Sequence, residues 1–346
     1  MKPPAYSRSD LVDLLSAQGE EMEALYRQAD DVRRQSCGDG VPIRAILEFS
    51  NRCANDCLYC GIRASNSRPI RYRMTPGEIL AVAHSLATVP AIGTLVLQSG
   101  ESPGDSDEEI TAWVRQVKTE LPHLALTLSV GNRPREVYAA WRAAGMDRYL
   151  LRFETSDPAL FAHLHPNGTL QDRLQCLREL KAAGVQTGSG FMVGLPGETM
   201  ETLVDNILLC QSLDLDMIGF GPFIPHPDTP LAGRANIHAA HPDLFFKVLA
   251  VLRLMNPDAH IPATTAFDVL FPTGRFLALQ RGANVFMPNA TPLAYRTHYQ
   301  LYPGKPGVDR GMEAVLREME QKLQSVGRFL AQGPGHSLRS ERRDEG

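Results

Sequence analysis

The chain has 346 residues, 43% of them hydrophobic, enough for two ordinary domains or one barrel of about 250 residues with extensions. Its 35 Lys and Arg against 39 Asp and Glu give a net charge of −4, a balance that offers no reason to expect nucleic acid or an anionic membrane as partner. No run approaches the roughly 20 apolar residues of a spanning helix, and six cysteines, three of them clustered, do not resemble a disulfide framework.

The start, MKPPAYSRSD, has no apolar core of a secretory signal, so a cytoplasmic, reducing setting is expected. An amphipathic helix comes first, from about Ser9 to Arg34. Strand-like runs follow at Ile43–Phe49, Thr94–Gln98, Ala125–Ser129, Tyr149–Arg152, Thr187–Met192, Met217–Gly221, Ile261–Ala263 and Asn284–Met287. Segments of helical period separate them: Ile79, Val82, Ala83 and Leu86 form one apolar stripe, and Phe245, Val248, Leu249 and Leu252 another. Thr75 caps a helix that Pro76 opens, and Gly145 and Gly184 end two others. The strands are short and apolar on both faces, as parallel strands under helices must be.

Eight strand–helix units predict an α/β fold, a (βα)8 barrel with its chemistry at the C-terminal strand ends; an open doubly wound sheet is the competing arrangement. The expected organisation is a helical extension over 1–40, a barrel over 41–305, and a C-terminal helix over 306–346 whose tail, from Gly333 on, is rich in glycine and charge and reads as disordered.

The run Cys53-Ala54-Asn55-Asp56-Cys57-Leu58-Tyr59-Cys60 puts three thiols on one loop after the first strand. Zinc wants four ligands, and the nearest histidine, His84, lies on an expected helix. Three thiolates instead hold three corners of a 4Fe-4S cluster and leave its fourth iron open to a small molecule. Three packing cysteines are a poor alternative beside Asn51, Arg52, Asn55 and Asp56.

A CxxxCxxC loop after the first strand, with Tyr59 before its last cysteine, resembles the radical S-adenosylmethionine (SAM) superfamily. In that family the open iron chelates SAM's amino and carboxylate groups, and an electron from the cluster splits the sulfonium into methionine and a 5′-deoxyadenosyl radical. The resemblance puts Tyr59 near the adenine and matches Ser99-Gly100-Glu101 to the motif for the amino group. Ser129, Glu154 and Arg173 follow at later strand ends, where Glu154 and Arg173 would meet SAM's amino-acid or ribose portions. Arginine suits a carboxylate because its planar fork pairs bidentately. Singly each of these could be a surface ion pair; together they converge on one mouth. Gly188-Ser189-Gly190 and Gly194-Leu195-Pro196-Gly197 permit close backbone approach, or form plain tight turns.

The runs LEFSNRCANDCLYCGIRASN, RYLLRFETSDP, GFMVGLPGETMETLVDNI, DMIGFGPFIPHPDTPLAG and YQLYPGK are similar to the FeFe-hydrogenase maturase family that helps build the diiron subsite of the H-cluster. That resemblance implies radical attack on an organometallic iron–cysteine substrate toward the dithiomethylamine bridge, with a reductant such as flavodoxin or ferredoxin and other maturases as partners. By position, Arg152 and Tyr302 would act on the substrate, and Thr264, Thr265, Met287 and Tyr299 would line its cavity; Met287 reads equally as barrel core, and the tyrosines as a plug. Many relatives carry a second cysteine trio just beyond the YPGK run; here that stretch reads Pro306-Gly307-Val308-Asp309 and no cysteine follows Cys210, so one cluster is expected. Phe267-Asp268 departs from the small residues expected there. Biotin synthase needs further cysteines inside the barrel, whereas Cys37 precedes the first strand and Cys176 and Cys210 sit on expected helices as packing residues. Methylornithine synthase, with one cluster and a closed cavity, is the alternative from the same superfamily. A non-catalytic iron–sulfur scaffold leaves the convergence of Glu101, Ser129, Glu154 and Arg173 unexplained.

Overall fold

The computed structural model describes residues 6–102, 106–305 and 311–339. Eight parallel strands carry the fold: Ile43–Ser50, Ile92–Ser99, Ala125–Ser129, Arg148–Leu150, Gln186–Ser189, Met217–Ile218, Pro262–Ala263 and Val285–Phe286. The sheet runs from the seventh strand through the eighth to the first and on to the sixth. A parallel bridge between Met217 and His260 joins sixth to seventh and closes the ring, so the barrel forms and the open sheet does not.

Strand alternation sorts the side chains into two sets. Ala45, Leu47 and Phe49 of the first strand join the outer core, where Phe49 meets Trp113 edge-on at 5.5 Å. Arg44, Ile46 and Glu48 share the opposite, inward face. Glu48 pairs in register with Gln98, and Gln98 with Ser129, so the upper interior is polar.

The expected fifth strand is interrupted. It stops at Ser189 because the chain crosses its neighbour at Gly190, where a Cβ would lie 2.0 Å from the Gly219 carbonyl oxygen. Met192–Val193 then pairs with Gly221–Pro222 in a separate two-stranded sheet.

The single N-terminal helix expected over Ser9–Arg34 is two helices, Arg8–Ser16 and Gly19–Cys37. Gly19 takes φ +52°, and the buried Lys247 ammonium donates to the Ala17 carbonyl at 3.1 Å, fixing the break. Both helices pack on Asp243–Met255. That cover explains why Leu244 to Met255 are buried all round although their sequence reads as a one-sided stripe.

The tail also differs from expectation. After the helix Met312–Gln324, Phe329–Leu330 pairs with Gly40–Val41, and residues 333–337 close the N-terminal end of the barrel. Arg148, fully buried, donates to the Pro334 and Gly335 carbonyls at 2.7 and 2.9 Å, and Arg44 donates to Gly335 at 3.1 Å. Ser337 donates to Asp216 at 2.5 Å. Glycine content signalled disorder, but Gly93 leaves room for the segment, since a Cβ there would strike the Gly333 carbonyl. Residues 340–346 of the expected tail lie outside the described residues. Among the described residues no helix is long and apolar enough to cross a membrane.

Candidate cofactor and substrate site

The three-cysteine loop leaves the C-terminal end of the first strand and has no regular structure of its own. Its shape comes from bonds to the rim around it. The Ala54 N–H donates to the Glu101 carbonyl (2.7 Å), Leu58 to Leu164 (2.9 Å) and Gly61 to Leu301 (3.0 Å). The Asp56 N–H donates to the Asn167 side chain at 2.8 Å. Gly61 and Gly100 make this closeness possible: a Cβ would lie 2.1 Å from the Gln300 carbonyl at one and 2.3 Å from the Arg52 carbonyl at the other.

Burial raises the Cys53 thiol, with Asn55 and Glu101 backbone bonds and the Arg71 cation pulling it back. Burial, then the neighbouring Cys53, pushes Cys57 up to about 12. Cys60 is raised by burial and then by Cys57. Three thiols thus lie within electrostatic reach of one another and resist becoming anions unless a cationic group joins them. Among the described residues no three His, Cys, Asp or Glu side chains converge as one ion needs. A cuboidal cluster presents a separate iron to each sulfur, and three thiols on one loop supply ligands for three of its corners, so this donor set fits the cluster.

Beside the loop runs a narrow cleft lined by Asn55, Cys57, Glu101, Asn132, His165 and Arg173, among others. Glu101 leans over Gly131, where a Cβ would come within 2.2 Å of its carboxylate. Arg173 enters from the first turn of Leu170–Ala182. Glu154 holds a left-handed φ of +63°, and its N–H and carbonyl bond Gly190 and Met192, both at 3.0 Å. Its carboxyl is raised by burial and held down by Arg152 and Arg173. Arg152 Nη2 lies 2.8 Å from Glu154 Oε2, an ion pair at hydrogen-bond distance. Asn132 Oδ1, Arg152 Nε and Arg173 Nε are all buried without a hydrogen-bond partner. Such groups are rare in folded chains unless a bound polar molecule satisfies them, and a zwitterionic ligand has the acceptors and donors they lack.

The Tyr59 hydroxyl meets His165 Nε2 at 2.8 Å. His165 Nδ1 lies 3.2 Å from the Phe161 carbonyl, which only accepts, so Nδ1 carries the hydrogen and Nε2 accepts from Tyr59. Burial lowers His165 to about 4, keeping the ring neutral.

Below the cleft, strand alternation puts Ser129 and Gln98 on the interior face. Gln98 donates to the Tyr299 hydroxyl at 3.1 Å, and Tyr299 is 1% exposed. Thr265 and Tyr302 hydroxyls meet at 2.5 Å, and Thr264 donates to the Phe220 carbonyl at 3.2 Å. Met287 is half-buried and stands outside the apolar clusters, unlike a core residue. Phe267 turns outward onto Phe220 and Phe246, and Asp268 binds Arg275 at 2.5 Å, so neither intrudes among these residues.

Sequence reasoning passed over Asn132, His165 and the interior pair of Glu48 and Lys305. An acid inside the apolar run of the first strand was the available signal for Glu48; His165 has none, because its partner Tyr59 is remote in sequence. Cys176 and Cys210 are buried packing residues, as expected.

The radical SAM superfamily model matches residues 47–210. The [FeFe] hydrogenase maturase subunit HydE of Thermotoga maritima is 48% identical over 306 residues, covering 88% of this chain and 86% of that one. A crystal structure of methylornithine synthase (PylB) superposes with a TM-score of 0.80 at 27% identity, covering 94% of each chain. The X-ray structure of the maturase HydG from Carboxydothermus hydrogenoformans shares the fold, with a TM-score of 0.77 at 20% identity over 93% of this chain and 75% of that one. The barrel, the loop and these likenesses define a radical SAM enzyme, which uses a 4Fe-4S cluster and SAM. Within that superfamily the chain belongs to the HydE family of [FeFe]-hydrogenase maturases.

Proposed function

We propose that this enzyme acts in assembly of the diiron subsite of the [FeFe]-hydrogenase active cluster, on the route to its dithiomethylamine bridge. Its substrate is a small organometallic or amino-acid-derived molecule enclosed in the barrel. The likeness to HydE along nearly the whole chain carries this reading. When bound, the cluster and SAM supply a 5′-deoxyadenosyl radical. The chain's residues position and enclose. Cys53, Cys57 and Cys60 hold three irons; Glu101 and Ser129 accept from SAM's ammonium; Arg173 forks onto its carboxylate, and Tyr59 stands at the adenine.

Glu154 belongs to the cofactor side and Arg152 to the substrate side, and their 2.8 Å pair couples the two. Arg152 and Tyr302 act on the substrate, and Thr264, Thr265, Met287 and Tyr299 shape its pocket. In the same reading 41–305 is the catalytic barrel, the described residues 6–40 are a helical brace and 311–339 a closure. A flavodoxin or ferredoxin supplies electrons, other hydrogenase maturases are partners, and six free cysteines support a cytoplasmic setting.

The test is anaerobic reconstitution with deuterated candidate substrates. Deuterium from an iron–cysteine compound recovered in 5′-deoxyadenosine supports the reading; its absence there, with transfer from another amino acid, sinks it. A Cys57→Ala chain should lose the cluster's brown absorbance and all deoxyadenosine. The full-length match to PylB favours a second reading, an amino-acid rearrangement; methylornithine among the products would establish it.

A further inference from the structure

The cluster loop is tied to the barrel rim from Ala54 to Gly61, and its two ends need a common anchor as well. Ordering a residue costs about 1–2 kcal/mol of backbone entropy, and neither Asn51–Arg52 before the loop nor Gly61–Asn66 after it lies in a strand or helix. One side chain reaches both. Arg71 Nη1 donates to the Asn51 carbonyl at 2.6 Å and the Ile62 carbonyl at 2.8 Å. Its Nη2 donates to Arg63 at 2.6 Å and Asn66 at 2.8 Å. Four carbonyls, from both sides of the three cysteines, therefore converge on one rigid guanidinium.

Three neighbouring arginines are answered by acids. Arg63 has Asp56, Arg68 has Asp228 and Arg73 has Glu109. Among the described residues no carboxylate lies within ion-pair distance of Arg71, whose recorded partners are neutral carbonyls. It is a partly buried cation with no carboxylate counter-ion among the described residues, at the base of a loop carrying three thiols.

We infer that Arg71 is the positioning residue of the cluster loop: its fork clasps the two loop ends so that the three thiols meet the cluster in one geometry, and its uncompensated charge favours the more negative, reduced cluster. This rests on the reading that Cys53, Cys57 and Cys60 bind the cluster. The two effects separate by substitution. Lysine keeps the charge but offers a point donor instead of a fork. Methionine keeps the stem and loses both.

The experiment uses the full chain, anaerobically reconstituted, with two readouts besides activity: the rate of iron loss to a chelator and the midpoint potential from an EPR-monitored redox titration. Arg71→Met should lose iron about tenfold faster, with a more negative midpoint. Arg71→Lys should lose iron faster than the wild type while keeping its potential, a split that mere loosening of the fold does not produce. Wild-type iron retention and potential in Arg71→Met overturns the inference, and so does a potential in Arg71→Lys displaced as far as in Arg71→Met. If the methionine chain does not fold, the lysine chain decides alone: unchanged iron retention or a displaced potential overturns the inference. Full iron content in Cys57→Ala would instead refute the cluster assignment, and the inference with it.

Discussion

Arg152→Met tests the coupling between the two halves of the site. At 2.8 Å and an effective dielectric near 20, the Arg152–Glu154 attraction is about 6 kcal/mol before solvation costs. The variant does not lose all of it, because Glu154 can take up a proton. From an ordinary glutamate pKa near 4.3, neutralising the carboxyl at about pH 7 costs about 3.7 kcal/mol. Burial has already raised Glu154, so the deficit of the variant must fall below that ceiling. The sign follows from linkage. A carboxyl with a raised folded pKa contributes stability that is full below the unfolded value and lost as pH rises through the folded value. Removing Arg152 raises the folded value further, so the variant keeps losing stability after the wild type has levelled off. For 346 residues the unfolding entropy is about 0.7 kcal/mol per degree, so the ceiling corresponds to roughly 5 °C. Anaerobic thermal melts of the apoprotein should show a small gap near about pH 5 and a gap approaching this limit by about pH 7. A gap equal at both pH values would refute the reasoning.

Three further outcomes follow from the same geometry. Arg173→Ala removes a charge-assisted pair and should weaken SAM binding by about 1.5–3 kcal/mol, roughly 10- to 150-fold, by calorimetry on reconstituted enzyme; unchanged affinity removes the assignment. Gly131→Ala places a Cβ against the Glu101 carboxylate at φ +87°. It should weaken SAM about tenfold while deoxyadenosine still forms at saturating SAM; wild-type affinity counts against Glu101 as a contact. Arg148→Met removes one bond from each of the Pro334 and Gly335 carbonyls, which keep Thr94 and Arg44 as their remaining donors. Each lost bond to the charged group is worth about 1.5–3 kcal/mol, largely offset by relief of a buried cation whose pKa is lowered to about 10, so a net loss of about 1–2 kcal/mol is expected in denaturant titration. Faster proteolysis near residue 334 should accompany it.

Sequence by itself determined what is local. The spacing of Cys53, Cys57 and Cys60 needs no distant partner to be read, and Thr75 with Pro76 opens a helix by forming a capping box with Glu78. Gly145 ends its helix at φ +114° because a left-handed residue must stand there. Apolar runs likewise gave eight strands and their order in the chain. Tertiary structure decided everything that depends on what lies opposite. The two N-terminal helices bury the outer face of Asp243–Met255. The glycine-rich tail becomes ordered under Arg44 and Arg148. Arg152 finds Glu154, and Tyr59 finds a histidine 106 residues away. Local patterns reflect backbone preference and side-chain period, which neighbours in the chain set, whereas pairing and burial depend on groups that only closure of the barrel brings together.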